Sequence, residues 1–297
     1  WIERCLRSIP AACEGLAYEV VIYDNASADA TLARIGGDFR IIKSAKNDGF
    51  AAGTNRALRE SHGRYVFLLN PDCELAPRAL TKLFDFLESH PNAAAAAPLL
   101  EGDAQREFQL RRLPKLGTLT AEVLLMRRLF PRNRATAHYR YQDLDLSEPR
   151  RIEQPAAAAL LIRRDVFDVV GPLDEQFSPA WFEDVDYCRR LAQAKKEIYV
   201  VPAAVAQHAG GASLEHIDFA TFNEIWYRNM WRYARKWLTP AKAEMLRWVI
   251  IAGMLLRCVA AIAGFAHPEI GRWRAFHAYA GVARKAFERW ASSPSSS

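Results

Sequence analysis

The sequence predicts an α/β fold, in which a Rossmann-like, mostly parallel sheet is flanked by helices and followed by a C-terminal helical region. In the first hundred residues, short β-branched or aromatic runs alternate with longer runs of helical period, the pattern of a parallel sheet covered by helices. Beyond about residue 215, helical periodicity dominates. With 51% hydrophobic and 25% charged residues, the chain is typical of a folded globular protein and not of a collagen-like or disordered one.

The individual elements follow in chain order from these patterns. Strands are predicted at 19–23, 40–43, 65–69 and 93–98, and helices at 28–35, 50–61 and 77–89. An apolar run at 155–162 predicts a buried strand, and a short helix at 163–170 ends at Gly171 and Pro172. A helix at 183–194, a strand at 198–201 and helices broken at Pro240 and Pro268 complete the prediction.

A polar loop follows each of the first three predicted strands, at 24–27, 47–49 and 70–72. In open α/β sheets, ligands bind in the crevice outside the carboxyl ends of the strands. We therefore expect these three loops to converge on one ligand-binding crevice.

The five cysteines are odd in number and widely scattered, with no C-x-x-C pair. This pattern indicates neither a disulfide framework nor a zinc site, and it favours a reducing, cytoplasmic setting. Position 1 is Trp and not Met, which predicts that the sequence begins inside a longer one.

Positive charge is concentrated in two stretches of the chain. From Arg228 to Arg289, twelve basic residues stand against three acidic ones, and from Arg106 to Arg140 nine stand against two. Basic residues interleaved with apolar ones suit an anionic membrane surface or a phosphorylated lipid, although a solvated helix face explains the same charges. Nucleic acid is not a predicted partner, because the sequence has no zinc-finger spacing and no aromatic ribonucleoprotein motif.

The apolar segment 248–266 is long enough to span a bilayer, but Arg257 lies near its middle. A charge at that depth costs about 2.5 to 3.5 kcal/mol on insertion scales. We therefore favour a helix that lies in the membrane interface or against the protein. A membrane span and a buried core helix stay open as alternatives.

Two groups of carboxylates are candidates for chemistry. In the first, residues 68–74, an apolar strand ends at Asp72, which suits Mg²⁺ or Mn²⁺ completed by phosphate oxygens, although an ordinary turn explains it equally. In the second, residues 181–190, three acids open a helix after two bulky aromatics. Charge that complements the helix dipole explains one or two of these acids. A carboxyl beside desolvating aromatics also acquires the raised pKa that proton abstraction requires.

His208 stands near the glycine pair Gly210 and Gly211, which lets the backbone approach a ligand closely. Taken alone, a structural histidine is the simpler interpretation.

Five ordered motifs together resemble glycosyltransferase family 2. They are VIYDNASAD at 21–29, NDGFAAGTN at 47–55, LNPD at 69–72, GPLDE at 171–175, and FEDVD at 182–186 with Arg189. Within this family the sequence is most similar to bacterial rhamnosyltransferase-type members that build cell-surface polysaccharides. The resemblance extends from the first residues to about residue 213, and it is looser in the helices beyond.

This resemblance implies a GT-A fold, a nucleotide-sugar donor, a divalent cation (Mg²⁺ or Mn²⁺) and inversion at the anomeric carbon. It also implies a cell-surface polysaccharide or polyprenyl-diphosphate-linked acceptor, met by peripheral contact at the cytoplasmic membrane face. The residues it implies are Asp184 with Glu183 for catalysis, Asp24, Asn25, Gly49, Phe50, Asn55 and Asn70 for the nucleotide sugar, Asp72 and His208 for the metal, and Trp181 and Asp174 for the acceptor. The expected domains are a catalytic domain at 1–214, a helical region at 215–291 and a disordered tail at 292–297.

Two departures from the family pattern leave an alternative open. Asn70 occupies the first position of the D-x-D-like motif, so the metal site has one charge fewer. The family's opening strand is expected to lie before Trp1. The alternative is a catalytically impaired nucleotide-sugar-binding protein of the same fold. A dinucleotide-dependent oxidoreductase is disfavoured, because no G-x-G-x-x-G follows the first predicted strand.

Overall fold

The computed structural model describes residues 1–37, 39–102, 109–126, 130, 133–210, 217–265 and 269–290. Three predicted features lie wholly or partly outside these ranges: the basic stretch from Arg106 to Arg140, the turn that follows Gly210, and the break at Pro268. The predicted tail at 292–297 also lies outside them. In the described residues the chain folds as two compact units, one formed by 1–113 and 137–212 and the other by 114–136 and 213–297.

The strands are short, except for two that form the centre of the sheet. They are β1 (Val21–Asp24), β2 (Arg40–Lys43), β3 (Tyr65–Leu69), β4 (Cys73–Leu75), β5 (Ala93–Glu101), β6 (Leu110–Arg111), β7 (Arg150–Ile152), β8 (Gln154–Pro155), β9 (Ala159–Arg163) and β10 (Glu197–His208).

The helices alternate with the strands in the first half of the chain and predominate in the second. They are α1 (Ile2–Ala12), α2 (Phe50–Arg59), α3 (Ala79–Ser89), α4 (Leu116–Val123), α5 (Arg134–Tyr139), α6 (Arg164–Val170), α7 (Glu183–Gln193), α8 (Phe219–Trp237), α9 (Pro240–Ile262) and α10 (Arg272–Phe287). Two 3₁₀ turns, Leu32–Arg34 and Glu175–Phe177, complete the list.

The α/β fold class predicted from the sequence is confirmed, but the main sheet is mixed and not mostly parallel as predicted, because β4, β7 and β9 run antiparallel to their neighbours. Six strands form this sheet, in the order β3-β9-β5-β10-β4, with β7 also paired to β10. The β5–β10 pair is parallel, whereas β9 runs antiparallel to both of its neighbours. Strands β1 and β2 form a separate parallel pair, and β6 and β8 form a short antiparallel pair.

The core of the first unit lies between the sheet and two helices. Residues 93–97 of β5 are all alanine and all buried, and their small side chains let α3 pack close to the sheet. Leu83 and Leu87 of α3 are fully buried there, and Leu6 and Ile9 of α1 join the same cluster. This packing fixes the sheet on which the polar loops are mounted.

Several predicted elements differ in the structure. The predicted helix 28–35 is only the 3₁₀ turn Leu32–Arg34, and the strand 198–201 is the longer β10. The apolar run 155–162 is divided into β8 and β9, because Ala156 to Ala158 leave the sheet and use their backbone in the contacts described below. Helix α1 and strand β4 have no counterpart in the sequence prediction.

The second unit consists of α4 and the three long helices α8, α9 and α10. Helices α9 and α10 are antiparallel, because the guanidinium of Arg247 donates to the carbonyl of Ala286 (3.1 Å) and the Cys258 thiol to that of Phe276 (3.7 Å). Arg257 donates to the carbonyl of Val123 in α4 (2.7 Å). Among the described helices, α9 alone is long and apolar enough to cross a membrane, a test that buried core helices also pass.

Candidate active site

The loops after β1 and β2 are joined through Asn25 and Asp48. The backbone N–H of Asp48 donates to Oδ1 of Asn25 (2.7 Å), which fixes the turn after β2 against the end of β1. Asp24, the last residue of β1, is buried, and its Oδ1 accepts from the N–H of Ser27 (3.3 Å). The structure therefore brings the predicted nucleotide residues Asp24 and Asn25 to the loop that begins α2.

The carboxylate of Asp48 organises this corner. Its Oδ2 accepts hydrogen bonds from the Tyr23 hydroxyl (2.6 Å), the Ser44 hydroxyl (2.6 Å) and the Arg56 guanidinium (2.7 Å). The hydrogen bonds from Ser44 and Tyr23, together with the charge of Arg56, lower the pKa of Asp48. A permanent negative charge thus holds strand β1, the turn after β2 and helix α2 together.

Gly49 and Phe50 contact the loop that leads to α7. The N–H of Phe50 donates to the carbonyl of Pro179 (2.7 Å), which follows a cis peptide bond after Ser178. Gly49 has φ +90°, and a Cβ there would lie 2.9 Å from the carbonyl oxygen of Pro179. Only glycine fits this close backbone approach. The predicted donor loop and the predicted acceptor loop, which carries Trp181, are therefore neighbours.

Asn55 fixes the GPLDE motif. Its Nδ2 donates to the carbonyl of Leu173 (2.9 Å) and to Oε1 of Glu175 (2.9 Å), and its Oδ1 accepts from the N–H of Leu173 (2.9 Å). The amide is buried and both of its donor hydrogens are used within the chain. This geometry gives Asn55 a positioning role toward the loop 171–175, whereas its predicted contact with the nucleotide stays a prediction.

Asp174 in the same loop caps the 3₁₀ turn. Its Oδ1 accepts from the N–H of Gln176 (3.0 Å). The loop is also held from α7, because Arg190 donates to Pro172 (2.8 Å) while it pairs with the fully buried Asp186 (3.0 Å). Asp186, the third acid of the FEDVD motif, is therefore a structural residue.

Asp72 and His208 meet where β4 pairs with β10. His208 lies opposite Cys73 in the antiparallel register, and its Nε2 is 3.3 Å from Oδ1 of Asp72. This Oδ1 is buried and has no hydrogen-bond partner among the described residues. A buried carboxylate oxygen without a hydrogen-bond partner among the described residues, next to an imidazole nitrogen, is a ligand set that fits a divalent cation.

Cys73 contributes a third atom to this group, whose ligand atoms all lie within 4.8 Å of one another. Its thiol donates to the carbonyl of Ala158 (3.3 Å), and burial with the nearby charge of Asp72 raises its pKa. The thiolate form that binds metals is therefore disfavoured. Asp72 and His208 are the ligands that this site can offer.

Two residues with a strained backbone, Trp181 and Phe182, immediately precede α7. Trp181 and Phe182 have φ +70° and +75°, in the left-handed region that bulky residues rarely adopt. Glu183 follows them and is buried, and its Oε2 has no hydrogen-bond partner among the described residues. Burial raises the pKa of Glu183 well above its ordinary value, and the neighbouring charge of Asp184 raises it further.

Asp184 keeps a partly exposed surface and a set of stabilising contacts. The N–H of Val185 donates to its Oδ1 (2.7 Å), and Nε2 of Gln154 donates to its Oδ2 (3.3 Å). Burial raises the pKa of Asp184. The Arg111 guanidinium and the N–H of Ala157 oppose this rise by stabilising the carboxylate.

The backbone at 157–158 contacts both the turn that carries the predicted metal ligand Asp72 and the predicted base Asp184. The backbone N–H of Ala157 faces the Asp184 carboxylate and lowers its pKa. The next residue, Ala158, accepts from the N–H of Asn70 (2.8 Å) and from Cys73 on the Asp72 turn. The Asp72 turn and Asp184 therefore border the same two residues of backbone.

Arg111 and Gln154 were not found from the sequence. They face each other in the register of the β6–β8 pair, and both act on Asp184. Arg111 lies in a stretch whose many basic residues gave no reason to select one of them. Gln154 immediately precedes the apolar run that was predicted as a continuous strand, and only the break in that strand shows its role.

A family model described as Glycosyl transferase family 2 matches residues 1–170 of the chain, more than half of its length. Asp184 and His208 lie beyond the matched range. The chain is 29% identical over 278 residues to N-acetylglucosaminyl-diphospho-decaprenol L-rhamnosyltransferase of Mycobacterium tuberculosis, in strains CDC 1551 and H37Rv. The similarity covers 86% of this chain and 87% of the relative.

Two solved structures share the fold. One is GalNAc-T7 with UDP, GalNAc and Mn²⁺, with a TM-score of 0.56 and 14% identity over 96% of this chain and about half (52%) of that one. The other is the mannosyltransferase PcManGT from Pyrobaculum calidifontis with GDP-Man and Mn²⁺, with a TM-score of 0.51 and 15% identity over 96% of this chain and 83% of that one. At these identities the likeness describes the fold.

Proposed function

Because the chain belongs to glycosyltransferase family 2, we propose that it moves a sugar, with rhamnose favoured, from a nucleoside-diphosphate donor to a lipid-linked or polysaccharide acceptor. The proposal includes inversion at the anomeric carbon. The observation that carries it is the contact of both the Asp72 turn and Asp184 with the backbone at 157–158. Two carboxylates held by one segment can act on opposite sides of one sugar.

The donor binds at the carboxyl ends of β1, β2 and β3. Asp24 and Asn25 contact the nucleoside, and the backbone of Gly49 and Phe50 lines the pocket beside them. The close backbone contact between Gly49 and Pro179 supports this arrangement, because it holds the start of α2 against the loop that leads to Trp181. Asn70 lies on the diphosphate side of the pocket, on the same turn as Asp72.

Asp72 and His208 hold the divalent cation. When bound, this cation neutralises the charge that develops on the leaving diphosphate. The orphaned, buried Oδ1 of Asp72 supports this assignment. One carboxylate and one imidazole make the site less charged than a pair of carboxylates, and an imidazole ligand favours Mn²⁺ over Mg²⁺.

Asp184 acts as the general base. The acceptor hydroxyl gives its proton to the Asp184 carboxylate while its oxygen forms a bond to the anomeric carbon. The bond from that carbon to the diphosphate oxygen breaks, and the electron pair leaves with the nucleoside diphosphate. Attack from the face opposite the leaving group inverts the configuration, as in the corresponding glycoside chemistry.

The acceptor is proposed from the rhamnosyltransferase relative, whose name specifies a sugar linked through diphosphate to decaprenol. We assign Trp181 and Asp174 to the acceptor side. Trp181 lies on the loop in which Pro179 contacts the start of α2, and Asp174 lies on the loop in which Pro172 accepts a hydrogen bond from Arg190 of α7. An acceptor carried on a polyprenyl diphosphate places the reaction at the cytoplasmic face of the membrane.

A panel of nucleotide sugars, dTDP-rhamnose first, tests this function by calorimetry with and without Mn²⁺. Transfer to a synthetic polyprenyl-diphosphate-linked N-acetylglucosamine follows, with the anomeric configuration of the product read by NMR. We expect Mn²⁺-dependent donor binding and an inverted product. Donor binding without any transfer or donor hydrolysis would favour the catalytically impaired binding protein, for which Asn70 in place of an acid is the supporting feature.

A further inference from the structure

We propose that the exposed side of α9 docks in the plane of an anionic lipid bilayer. This side, called here the α9 outer face, is formed by six apolar residues, each more than half exposed: Met245, Trp248, Leu255, Leu256, Val259 and Ile262. A large exposed apolar patch on a folded protein marks an interaction surface.

The spacing of these residues shows that they share one side of the helix. Five of them (Met245, Trp248, Leu255, Val259 and Ile262) recur at intervals of three, four or seven residues, and Leu256 lies three residues before Val259. The span from Met245 to Ile262 is about 25 Å at the α-helical rise. The opposite side is buried against the protein, through residues such as Leu246, Ile250 and Met254. Helix α9 thus has a complete packed side and a complete apolar exposed side.

The patch continues onto α10. Phe287 at the end of that helix is 64% exposed, and its ring packs edge-on against Trp248 with centroids 6.1 Å apart. Exposed tryptophan and phenylalanine rings beside aliphatic residues are typical of helices that lie at a membrane–water interface.

The charges around the patch complement an anionic surface. Between Pro240 and Trp290 the sequence has eight Lys or Arg residues and three Glu. Arg247 and Arg257 are used inside the unit, and Glu244 pairs with Arg247 (2.8 Å). The remaining bases that lie exposed are Lys242, Arg272, Arg274, Arg284 and Arg289, and two acidic residues, Glu269 and Glu288, are exposed as well. Arg289 also lies 3.8 Å from Glu244, so the exposed charge of this region is positive by a smaller margin. Basic residues at the rim of an apolar helix face attract anionic lipid headgroups.

The packed side of α9 favours an in-plane helix over a helix that crosses the bilayer. The Arg257 guanidinium donates to the carbonyls of Val123 (2.7 Å) and Gly253 (3.1 Å), and Arg247 donates to the end of α10. A spanning helix would have to give up these contacts and carry the Arg257 charge into hydrocarbon. An in-plane helix keeps all of them and buries only its outer face.

The same charges favour a bilayer over a second copy of the chain. Two copies joined through the α9 outer face would bring their basic rims together, and like charges across an interface oppose association. An anionic bilayer satisfies both the apolar face and the rim. This inference deepens the proposed function, on which it rests for the expectation of a membrane-held acceptor, while the surface itself is defined by exposure and charge.

Vesicle flotation with the full chain tests the proposal, using Val259→Glu and the matched control Val169→Glu. Val259 on the α9 outer face is 66% exposed, and Val169 in α6 of the other unit is 61% exposed. We expect the wild type and Val169→Glu to float with vesicles of 30% phosphatidylglycerol in phosphatidylcholine. Val259→Glu should lose about tenfold in partition coefficient, and omission of the anionic lipid should weaken wild-type binding.

Circular dichroism and donor binding without vesicles separate this test from that of the proposed function. Both should be unchanged in Val259→Glu, because that side chain is exposed and lies outside the candidate site. Equal flotation of the two variants would overturn the proposal, as would a wild type that ignores vesicles and forms a dimer that Val259→Glu dissociates. Loss of donor binding in every protein, with flotation retained, would count against the proposed function alone.

Discussion

The adjacent carboxyls of Glu183 and Asp184 differ in their surroundings, and this difference assigns their roles. Asp184 is partly exposed and accepts hydrogen bonds from the Val185 N–H and from Gln154, and the Ala157 N–H also lowers its pKa. Glu183 is buried beside that charge with an unpartnered oxygen, and its pKa is raised well above the ordinary value. We therefore assign the ionised form to Asp184 and the neutral form to Glu183.

This assignment predicts different outcomes for two isosteric variants. Asp184→Asn should lower kcat by about 10² to 10⁴-fold, the usual contribution of a general base, with donor affinity retained. Glu183→Gln replaces a neutral carboxylic acid with a neutral amide, so most of the activity should remain. Steady-state kinetics together with calorimetric donor binding provides the measurement. A fully active Asp184→Asn variant would remove Asp184 from the role.

The pH dependence of activity reports on the Asp184 surroundings. Burial raises the pKa of Asp184, so we expect kcat/KM to fall on acidification at a higher pH than an ordinary aspartate would cause. The Arg111 guanidinium lowers this pKa, so Arg111→Gln should move the acidic limb of the profile to still higher pH. The side chains of Glu183 and Cys188 also face the Asp184 carboxylate. Arg111 is the positively charged neighbour that lowers the pKa of Asp184.

A merely structural role for Arg111 would reduce activity equally at all pH values. The pH profile of kcat/KM for Arg111→Gln and wild type therefore decides between the two roles. Restored activity at high pH is the expected signature of the electrostatic role.

At the level of single residues, the sequence indicated which residues lie close together better than it indicated which contacts each side chain makes. Asp72 and His208 are 136 positions apart, yet the family resemblance assigned both to one metal site, and the β4–β10 register brings their side chains to within 3.3 Å. Asn55 stood in a motif as a nucleotide residue, but its amide is used by Leu173 and Glu175. The contacts of Asn55 depend on which backbone groups of the distant loop 171–175 need a hydrogen-bond partner. No local sequence pattern around Asn55 contains this information.

Among the elements, the loop at 171–175 depends on a contact from α2. Asn55→Ala would remove three hydrogen bonds and leave the buried N–H and C=O of Leu173 without them. We expect a loss of about 3 kcal/mol in the free energy of unfolding, measured by chemical denaturation. Asn92→Ala, at an exposed turn, is the control and should change it by less than about 0.5 kcal/mol.

The contact between Gly49 and Pro179 makes a second prediction about elements. Gly49→Ala places a Cβ 2.9 Å from a backbone oxygen that cannot move aside easily, in addition to the strain of φ +90°. Gly15 has a similar φ, +79°, and open space around its Cβ position. Gly49→Ala should therefore cost about 2 kcal/mol more than Gly15→Ala in the free energy of unfolding. Equal losses in the two variants would mean that the loop at 178–181 yields freely.

The elements best predicted from the sequence are those whose pattern is local. Strands β2 and β3 match their predicted ranges, and α6 begins one residue later than predicted, because apolar runs and the Gly171 stop define them. The predicted helix 28–35 is only a 3₁₀ turn, because none of the residues of that turn is buried and the Asp29 carboxylate accepts a local hydrogen bond from the Thr31 N–H (2.9 Å). The run 155–162 was wrong as one strand because Ala157 and Ala158 turn their backbone to Asp184 and the Asp72 turn.

For the whole molecule, composition and charge differ between the two units of the chain. The acidic candidates lie in the first unit, and the basic, apolar helices α9 and α10 lie in the second. Residues 114–136 also belong to the second unit, which a division of the sequence at one point does not anticipate. Such a return of the chain is set by tertiary packing, as in the hydrogen bond from Arg257 to Val123.

Ligand binding to the first unit should appear as increased stability of that unit. A ligand that binds only the folded state stabilises it by about 2.7 kcal/mol at a free concentration of 100 times its Kd. We expect a nucleoside diphosphate with Mn²⁺ to raise the unfolding free energy by more than the nucleotide alone, as measured by denaturation at fixed ligand excess. His208→Ala should abolish the increment due to Mn²⁺ and keep the increment due to the nucleotide.

The matched control for that experiment is His62→Ala, which alters an exposed histidine whose contact is a weak pair with Glu19 at 3.6 Å. His62→Ala should keep both increments, and Asp72→Asn should behave as His208→Ala does, because the two side chains form one site 3.3 Å across. If the Mn²⁺ increment survives in both site variants, the cation is bound elsewhere and the metal assignment is wrong. If the nucleotide increment disappears in His208→Ala but not in Asp72→Asn, the imidazole contacts the diphosphate directly.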